Sequence, residues 1–197
     1  MTVIPIIYIM KTAYIFLADG FEDIEALGTR DVLVRAGIST QTVSITDEPF
    51  VCSSHGITVG VDCMLEQMPE IEDDDAMIFP GGMPGARNLA ACGELMTMMK
   101  DHYGRNGLVA AICASPGLVL GQLDGLEGKE MTCYDGFEEN LLSGGAVFVR
   151  RPAVTSGNVI TGRGAGHSVE FGLEIVGYMK GKPAADDVRG RMILPCE

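Results

Sequence analysis

Cys113 is the residue whose surroundings in the sequence most favour chemistry. The apolar run at residues 108–112 predicts a fully buried strand of a parallel sheet, and residues 116–120 begin a helix, because proline fits a first helical turn. Cys113 is therefore expected in the sharp turn between a central strand and a helix N-terminus. The helix dipole and the free N–H groups there favour a thiolate over a thiol, so we predict a reactive cysteine. The alternative is a buried structural cysteine.

Three acidic residues begin the first helix of the chain. Residues 13–17 predict a buried strand and residues 22–36 a helix, so that Glu22, Asp23 and Glu25 fall in the first helical turn. The helix dipole alone explains acids there as solvated carboxylates, whereas a carboxylate close to Cys113 would take part in chemistry. The expected core face of this helix is Ile24, Leu27, Val32, Leu33 and Val34.

Two glycines lie just after the third predicted strand, which spans residues 76–79. Gly81 and Gly82 permit a close approach of the backbone to a ligand, and ligands of open α/β sheets bind outside such strand ends. The alternative is a simple turn. A second glycine-rich loop, residues 162–166, has the wrong spacing for a dinucleotide fingerprint, so no nucleotide is expected.

The remaining elements complete an α/β pattern. His55 falls in a predicted hairpin at residues 51–61, where a lone histidine is usually a surface residue. Strands are predicted at residues 40–45, 129–133, 147–149 and 159–161, and helices at 88–102, 137–142 and 168–180. The helix at 88–102 is expected to bury Leu89, Leu95, Met96 and Met99.

Composition narrows the class of protein. A chain of 197 residues with 47% hydrophobic residues fits one α/β domain, here residues 11–197, preceded by residues 1–10 as an extension or alternative start. The net charge of −13 argues against a nucleic-acid or membrane partner. Six cysteines without a C-x-x-C pair, and three histidines, argue against structural zinc, so neither metal nor cofactor is expected. The expected compartment is a reducing cytoplasm.

Four short motifs resemble those of the ThiJ/PfpI family in order and spacing. They are residues 19–25 (DGFEDIE), 79–82 (FPGG), 110–116 (AAICASP) and 161–164 (TGRG). The resemblance extends from about Lys11 to the C-terminus. It implies a flavodoxin-like, doubly wound and mostly parallel sheet between helices, of the class I glutamine amidotransferase-like type. It also implies a homodimer and a cysteine at a nucleophile elbow.

The resemblance also assigns roles to individual residues. Cys113 corresponds to the family nucleophile, and Glu25 to a glutamate that hydrogen-bonds the sulfur as a protonated acid. The backbone N–H groups of Gly82 and Ala114, with Gly81 beside them, correspond to an oxyanion pocket. Contacts with substrate or with a partner subunit are implied for Arg35, Arg163 and His55.

Two departures from the family pattern bear on the reaction. Ala114 stands where the protease-like branch has a histidine, so peptidase activity is not expected. Tyr134 stands where the deglycase branch has a histidine, and a phenol is a poor base near neutral pH. Proton transfer would fall to Glu25, or more weakly to Tyr134 or His55.

Three functions remain open on these grounds. The first is a cysteine-dependent enzyme that acts on a small carbonyl compound, an aldehyde or α-oxoaldehyde adduct, in the manner of a glyoxalase or deglycase. The second is a redox-sensing stress protein or chaperone in which Cys113 is oxidised to a sulfinate. The third, a role in thiamine-thiazole metabolism, is suggested only by the older family name.

Overall fold

The computed structural model describes residues 11–195, and the predicted N-terminal extension lies outside the described residues. The helices are α1 (Asp23–Arg35), α2 (Gly85–Ala91), α3 (Gly93–Gly104), α4 (Ser115–Leu118), α5 (Glu138–Ser143), α6 (Ser168–Lys180) and α7 (Lys182–Arg191). The strands are β1 (Thr12–Leu17), β2 (Ser39–Ser44), β3 (Phe50–Cys52), β4 (Thr58–Gly60), β5 (Cys63–Met64), β6 (Ala76–Phe79), β7 (Leu108–Ile112), β8 (Glu130–Met131), β9 (Val147–Phe148), β10 (Ala153–Ser156) and β11 (Val159–Gly162).

Seven strands form one sheet in the order β10-β11-β7-β6-β1-β2-β5. Neighbouring strands are parallel, except for the antiparallel pair of β10 and β11 at one edge. The predicted doubly wound, mostly parallel sheet is therefore confirmed. The chain continues from β1 to β2 on one side and from β6 to β7 on the other. The carboxyl ends of β1 and β6 consequently flank a topological switch point, where open α/β sheets bind their ligands.

Helices cover both faces of the sheet, because its central strands carry apolar side chains on both sides. On one face, α1, α6 and α7 pack over Ile15, Ile78 and Ile160. On the other face, α2, α3 and α5 pack over Phe16 and Phe79. The sheet is thus held between two apolar layers, and its carboxyl edge is the open end at which loops meet. None of the helices formed by residues 11–195 has the length and apolar character needed to cross a membrane.

The predicted core face of α1 is wrong for three of its five residues. Val32 and Leu33 are buried, but Ile24, Leu27 and Val34 are 58%, 38% and 47% exposed. The reason is that α1 packs closely against α6 through small residues, so that Ala26 and Thr29 occupy the buried stripe. The bulkier apolar side chains are left on the outer side of the helix.

Other differences between the predicted and the observed elements are confined to short segments. The helix predicted at residues 88–102 is two helices, because the backbone of Cys92 between them is extended. The side chains expected in its core, Leu89, Leu95, Met96 and Met99, are all buried. The short elements β5, β10 and α7 were not predicted, since β5 has two residues and the other two are largely polar.

The contact between α1 and α6 depends on a glycine, which gives a testable prediction. A Cβ on Gly172 would lie 2.9 Å from Cβ of Val32, whereas one on Gly177 of the same helix would meet nothing within 4 Å. We expect Gly172→Ala to lower the free energy of unfolding by about 1–3 kcal/mol through overpacking. Gly177→Ala should raise it by up to about 1 kcal/mol through helix propensity. Urea unfolding measures both, and a gain in stability at position 172 would contradict the packing argument.

Candidate active site

Cys113 lies immediately after β7, in the tight turn that leads into α4. Its φ is +66°, a left-handed conformation that is uncommon for a residue with a side chain. Two backbone hydrogen bonds hold it there: its N–H donates to Gly162 O at 3.0 Å, and its carbonyl accepts from Tyr134 N–H at 2.8 Å. Such strain persists only where the surrounding structure fixes it, and it is concentrated at functional sites.

Glu25 is the acidic residue of α1 that reaches Cys113. Its side chain is on the inner side of the helix and only 1% of the residue is exposed. Oε2 accepts a hydrogen bond from Gly81 N–H at 2.8 Å, and the carboxyl group lies beside the Cys113 thiol. Oε1 is buried and has no hydrogen-bond partner within the described part of the chain. One carboxyl oxygen is therefore fixed by the backbone, and the other makes no hydrogen bond to any described residue.

The glycines after β6 allow this approach. A Cβ on Gly81 would lie 2.6 Å from both the Cβ of Cys113 and Oε2 of Glu25, so no side chain fits there. The next residue, Gly82, has a φ of +89° and directs its N–H to the Cys113 sulfur, as does Ala114 on the other side. Two backbone donors and one carboxyl group therefore converge on a single sulfur.

The protonation of this pair is governed by burial and by the charges and donors around it. Burial, and next the negative charge of Glu25, raise the pKa of the Cys113 thiol to about 12, against the smaller lowering effect of the Gly82 and Ala114 N–H groups. Burial also raises the pKa of Glu25 to about 7, aided by the charge of Glu22. Burial therefore opposes the predicted resting thiolate, whereas the two N–H groups favour it, and the thiolate stays a prediction. Its main support was a helix dipole, and α4 is only four residues long.

The β3–β4 hairpin forms the rim beside Glu25. Ser54 N–H donates to Phe21 O at 2.8 Å, which ties the hairpin to the loop before α1. On this hairpin, Nδ1 of His55 lies 2.6 Å from Oδ2 of Asp23, and this contact raises the pKa of His55. The pKa of Asp23 is lowered, first by the Ser53 side chain and then by His55. The structure thus places His55 against α1 rather than against Cys113. This pair could not be predicted from the sequence, because its members are 32 residues apart.

Of the other residues predicted to contact substrate or a partner subunit, Tyr134 and Arg163 lie near the turn at Cys113. The half-exposed side chain of Tyr134 lies against Gly164, directly beyond the backbone turn of Cys113. Arg163 follows β11, donates to Cys133 O at 3.4 Å and forms an ion pair with Asp135, so it lies near the turn without contacting the sulfur.

Arg35 lies at the other end of α1 from Glu25. It is in the last turn of α1, ten residues after Glu25, and pairs with Asp31 at 2.6 Å. A separation of ten residues along a helix is about 15 Å. Arg35 therefore does not approach the Cys113 sulfur within one chain, and its contact with a partner subunit stays a prediction.

The parallel sheet with helices on both faces is that of the flavodoxin-like, class I glutamine amidotransferase-like proteins. Cys113 and Glu25 meet at its carboxyl edge, beside the switch point of the strand order. Residues 11–177 match the model of the DJ-1/PfpI family, and the chain belongs to this family.

Individual relatives agree with this assignment. The chain is 35% identical over 186 residues to Protein DJ-1 homolog A of Arabidopsis thaliana, with 93% of this chain and 47% of that protein covered. It is 33% identical over 172 residues to the Glutathione-independent glyoxalase DJR-1.2 of Caenorhabditis elegans, with 87% and 90% covered. The solved structure of oxidized Toxoplasma gondii DJ-1 superposes with a TM-score of 0.87 at 28% identity, covering 94% of this chain and 100% of that one. The chain spans less than half the length of the two Arabidopsis relatives.

The raised pKa of Glu25 predicts a pH-dependent contribution to stability. Because the folded protein holds this proton up to about pH 7 and the unfolded chain releases it near 4.5, stability falls as pH rises through that interval. In Glu25→Gln, which keeps an oxygen for the Gly81 N–H, this loss should disappear. The stability difference between the variant and wild type should therefore grow by up to about 3 kcal/mol from pH 4.5 to pH 7.5. Urea unfolding at several pH values tests this, and parallel pH curves would contradict it.

Proposed function

We propose that this protein is a cysteine-dependent enzyme that acts on small aldehydes and α-oxoaldehydes or their adducts, as a glyoxalase or deglycase does. The observation that carries the proposal is the Glu25 carboxyl group beside the Cys113 sulfur, with the N–H groups of Gly82 and Ala114 at the same atom. A relative covered over most of its length is named as a glutathione-independent glyoxalase. The strained turn at Cys113 has the form of a nucleophile elbow.

The first step joins the thiol to the carbonyl carbon. As the S–C bond forms, the thiol proton passes to Glu25, whose pKa of about 7 suits a base near neutral pH. The carbonyl π electrons move to oxygen, and the Gly82 and Ala114 N–H groups stabilise that oxyanion. Glu25 then returns the proton to the oxygen, which gives a neutral hemithioacetal. Glu25 acts here as a base that becomes protonated, because a thiol of high pKa must lose its proton during attack.

For an α-oxoaldehyde the same carboxylate can complete an isomerisation. Glu25 removes the proton from the former aldehyde carbon, and the electrons form an enediolate. The hydroxyl proton on that carbon passes to the neighbouring oxygen, Glu25 returns its proton to the neighbouring carbon, and the electrons re-form a C=O bond, which gives a thioester of Cys113. Water then hydrolyses the thioester to a 2-hydroxy acid and restores the thiol. Tyr134 and His55 do not contact the sulfur, which supports Glu25 as the proton carrier. Ala114 supplies no imidazole, so a Cys–His peptidase mechanism has no support.

This mechanism predicts the effects of two substitutions on methylglyoxal turnover. Cys113→Ser and Glu25→Gln should each lower kcat/KM by at least about 100-fold, since one removes the nucleophile and the other the base. For the wild-type protein, kcat/KM should rise with pH through about 7, where Glu25 ionises, and then level off. Lactate formation measures turnover, with His167→Gln as a control at an exposed histidine. Turnover that persists in Cys113→Ser would refute the mechanism.

A second candidate function is redox sensing at Cys113, supported by the oxidized state named for the Toxoplasma relative. Two molecules of peroxide would convert the thiol to a sulfinic acid with release of two waters. The N–H groups of Gly82 and Ala114 would receive the new negative charge, and Glu25 would donate a hydrogen bond to it. The five described cysteines are free thiols, which supports our proposal of a reducing, cytoplasmic compartment. After mild peroxide treatment, mass spectrometry should find sulfinate on Cys113 before any other cysteine, and oxidation in another order would exclude this function.

We also propose that the protein is a homodimer joined through the outer side of α1. Ile24, Leu27 and Val34 are exposed there, and Phe50 and Ile57 of the adjacent hairpin are exposed as well. Large exposed apolar side chains grouped in this way are typical of protein interfaces.

The dimer proposal is tested by charge substitution. Leu27→Glu should shift the protein to the monomer in sedimentation equilibrium, because it buries an unpaired charge at the interface. Leu142→Glu, at a leucine that is 54% exposed on α5, is the matched control and should leave the dimer intact. A wild-type monomer, or equal effects of the two substitutions, would refute this interface.

A further inference from the structure

Three side chains at the rim of the site form a separate cluster that the mechanism does not use. They are Glu22 and Asp23 at the start of α1 and His55 on the β3–β4 hairpin. Each offers one ligand atom, and these atoms lie within 4.8 Å of one another. The cluster joins two elements that only the fold brings together, and it is distinct from the Glu25 and Cys113 pair.

We propose that Glu22, Asp23 and His55 bind a divalent transition-metal ion such as Zn²⁺ or Mn²⁺. One imidazole nitrogen and two carboxylate oxygens form a ligand set that these ions accept. Three protein ligands leave further coordination positions to water, as in open metal sites. By coordinating residues of both elements, the ion would link the β3–β4 hairpin to the N-terminal turn of α1.

The bonding state of each ligand supports this assignment. Oδ1 of Asp23 is buried and makes no hydrogen bond of normal length and angle among residues 11–195, although the Ser53 side chain lies beside this carboxylate, so Oδ1 can turn to an ion. Glu22 uses Oε2 to accept the N–H of Glu25 at 2.7 Å and keeps its other oxygen. The side chain of His55 is 68% exposed, so it can move from its contact with Asp23 to a shared ion.

The charges of the cluster also favour a cation. Two carboxylates contribute a charge of about −2 when ionised, whereas the helix N-terminus contributes roughly +0.5. The cations that pair with other acids in this fold do not reach the cluster, since the ion pair described for Asp23 is with His55 alone. The net field at the cluster is therefore negative when His55 is neutral, which is the form that coordinates a metal.

The chain has three histidines, so proton NMR of their imidazole rings tests the site directly. Mn²⁺ is paramagnetic and prefers oxygen and imidazole ligands to thiols. Added below stoichiometry at pH 8, it should broaden the His55 resonance first, while the buried His102 and the exposed His167 stay sharp. Excess Zn²⁺, which binds such sites more tightly than Mn²⁺, should displace it and restore a sharp, shifted His55 signal.

Matched substitutions separate this site from general attraction of cations to an acidic protein. Asp23→Asn should weaken Mn²⁺ binding about tenfold or more, because it replaces a charged ligand. Glu170→Gln removes the same charge beside the other exposed histidine, His167 at 4.0 Å, and should change the affinity less than about twofold. Parallel broadening of His55 and His167, or an Asp23→Asn variant that binds Mn²⁺ like wild type, would overturn the proposal. These measurements do not depend on turnover, and the pH effects predicted for Glu25 apply to the metal-free protein.

Discussion

The contact between the Glu25 carboxyl group and the Cys113 sulfur is the constraint around which this end of the molecule is built. It requires the inner side of α1, the loop after β6 and the turn after β7 to meet around Gly81. Gly81 makes the meeting possible, because the space that its side chain would fill is taken by both reacting groups. Burial raises the pKa of both partners, which brings the pKa of the Glu25 carboxyl group to about 7 and opposes ionisation of the thiol. A solvated carboxylate and an exposed thiol would have neither property.

The type and bounds of an element could be predicted where a single hydrophobic pattern runs through the whole segment. The five apolar residues of β7 allow only a buried strand, and the periodicity of α6 gives its bounds as Ser168–Lys180. The buried side of α1 was not predictable from hydrophobicity, because its contact with α6 selects small residues such as Ala26 over the larger Leu27. A helix that packs through small residues turns its bulky apolar groups outward. The break at Cys92 lies next to Gly93, whose low helix propensity is a signal that the prediction of one helix over residues 88–102 did not use.

The candidate site also contains some features that could be predicted from the sequence and others that could not. Cys113 and the Gly81–Gly82 pair follow buried strands directly, so the parallel sheet alone brings them to a common edge. Motif resemblance selected Glu25 among three neighbouring acids, and the structure gives the reason: Glu25 is the one on the inner side of α1. The pKa of Cys113 could not be derived from its position in the chain, because it depends on burial and on a carboxyl group 88 positions away in the numbering. The proximity of Asp23 and His55 depends on the hairpin and has no trace in the linear sequence.

The two sides of α1 carry different groups, and a shift of this helix would move both of them together. The inner side holds Glu25 against the sulfur, whereas the outer side exposes Ile24 and Leu27 within three residues of it. An α-helix of 13 residues moves as a stiff rod, and reacting groups tolerate displacements of only about 0.5 Å. A displacement of this helix by a molecule bound to its outer side would therefore also change the distance between the Glu25 carboxyl group and the Cys113 sulfur. In the proposed dimer, the same helix would contribute both to the subunit interface and to the candidate active site.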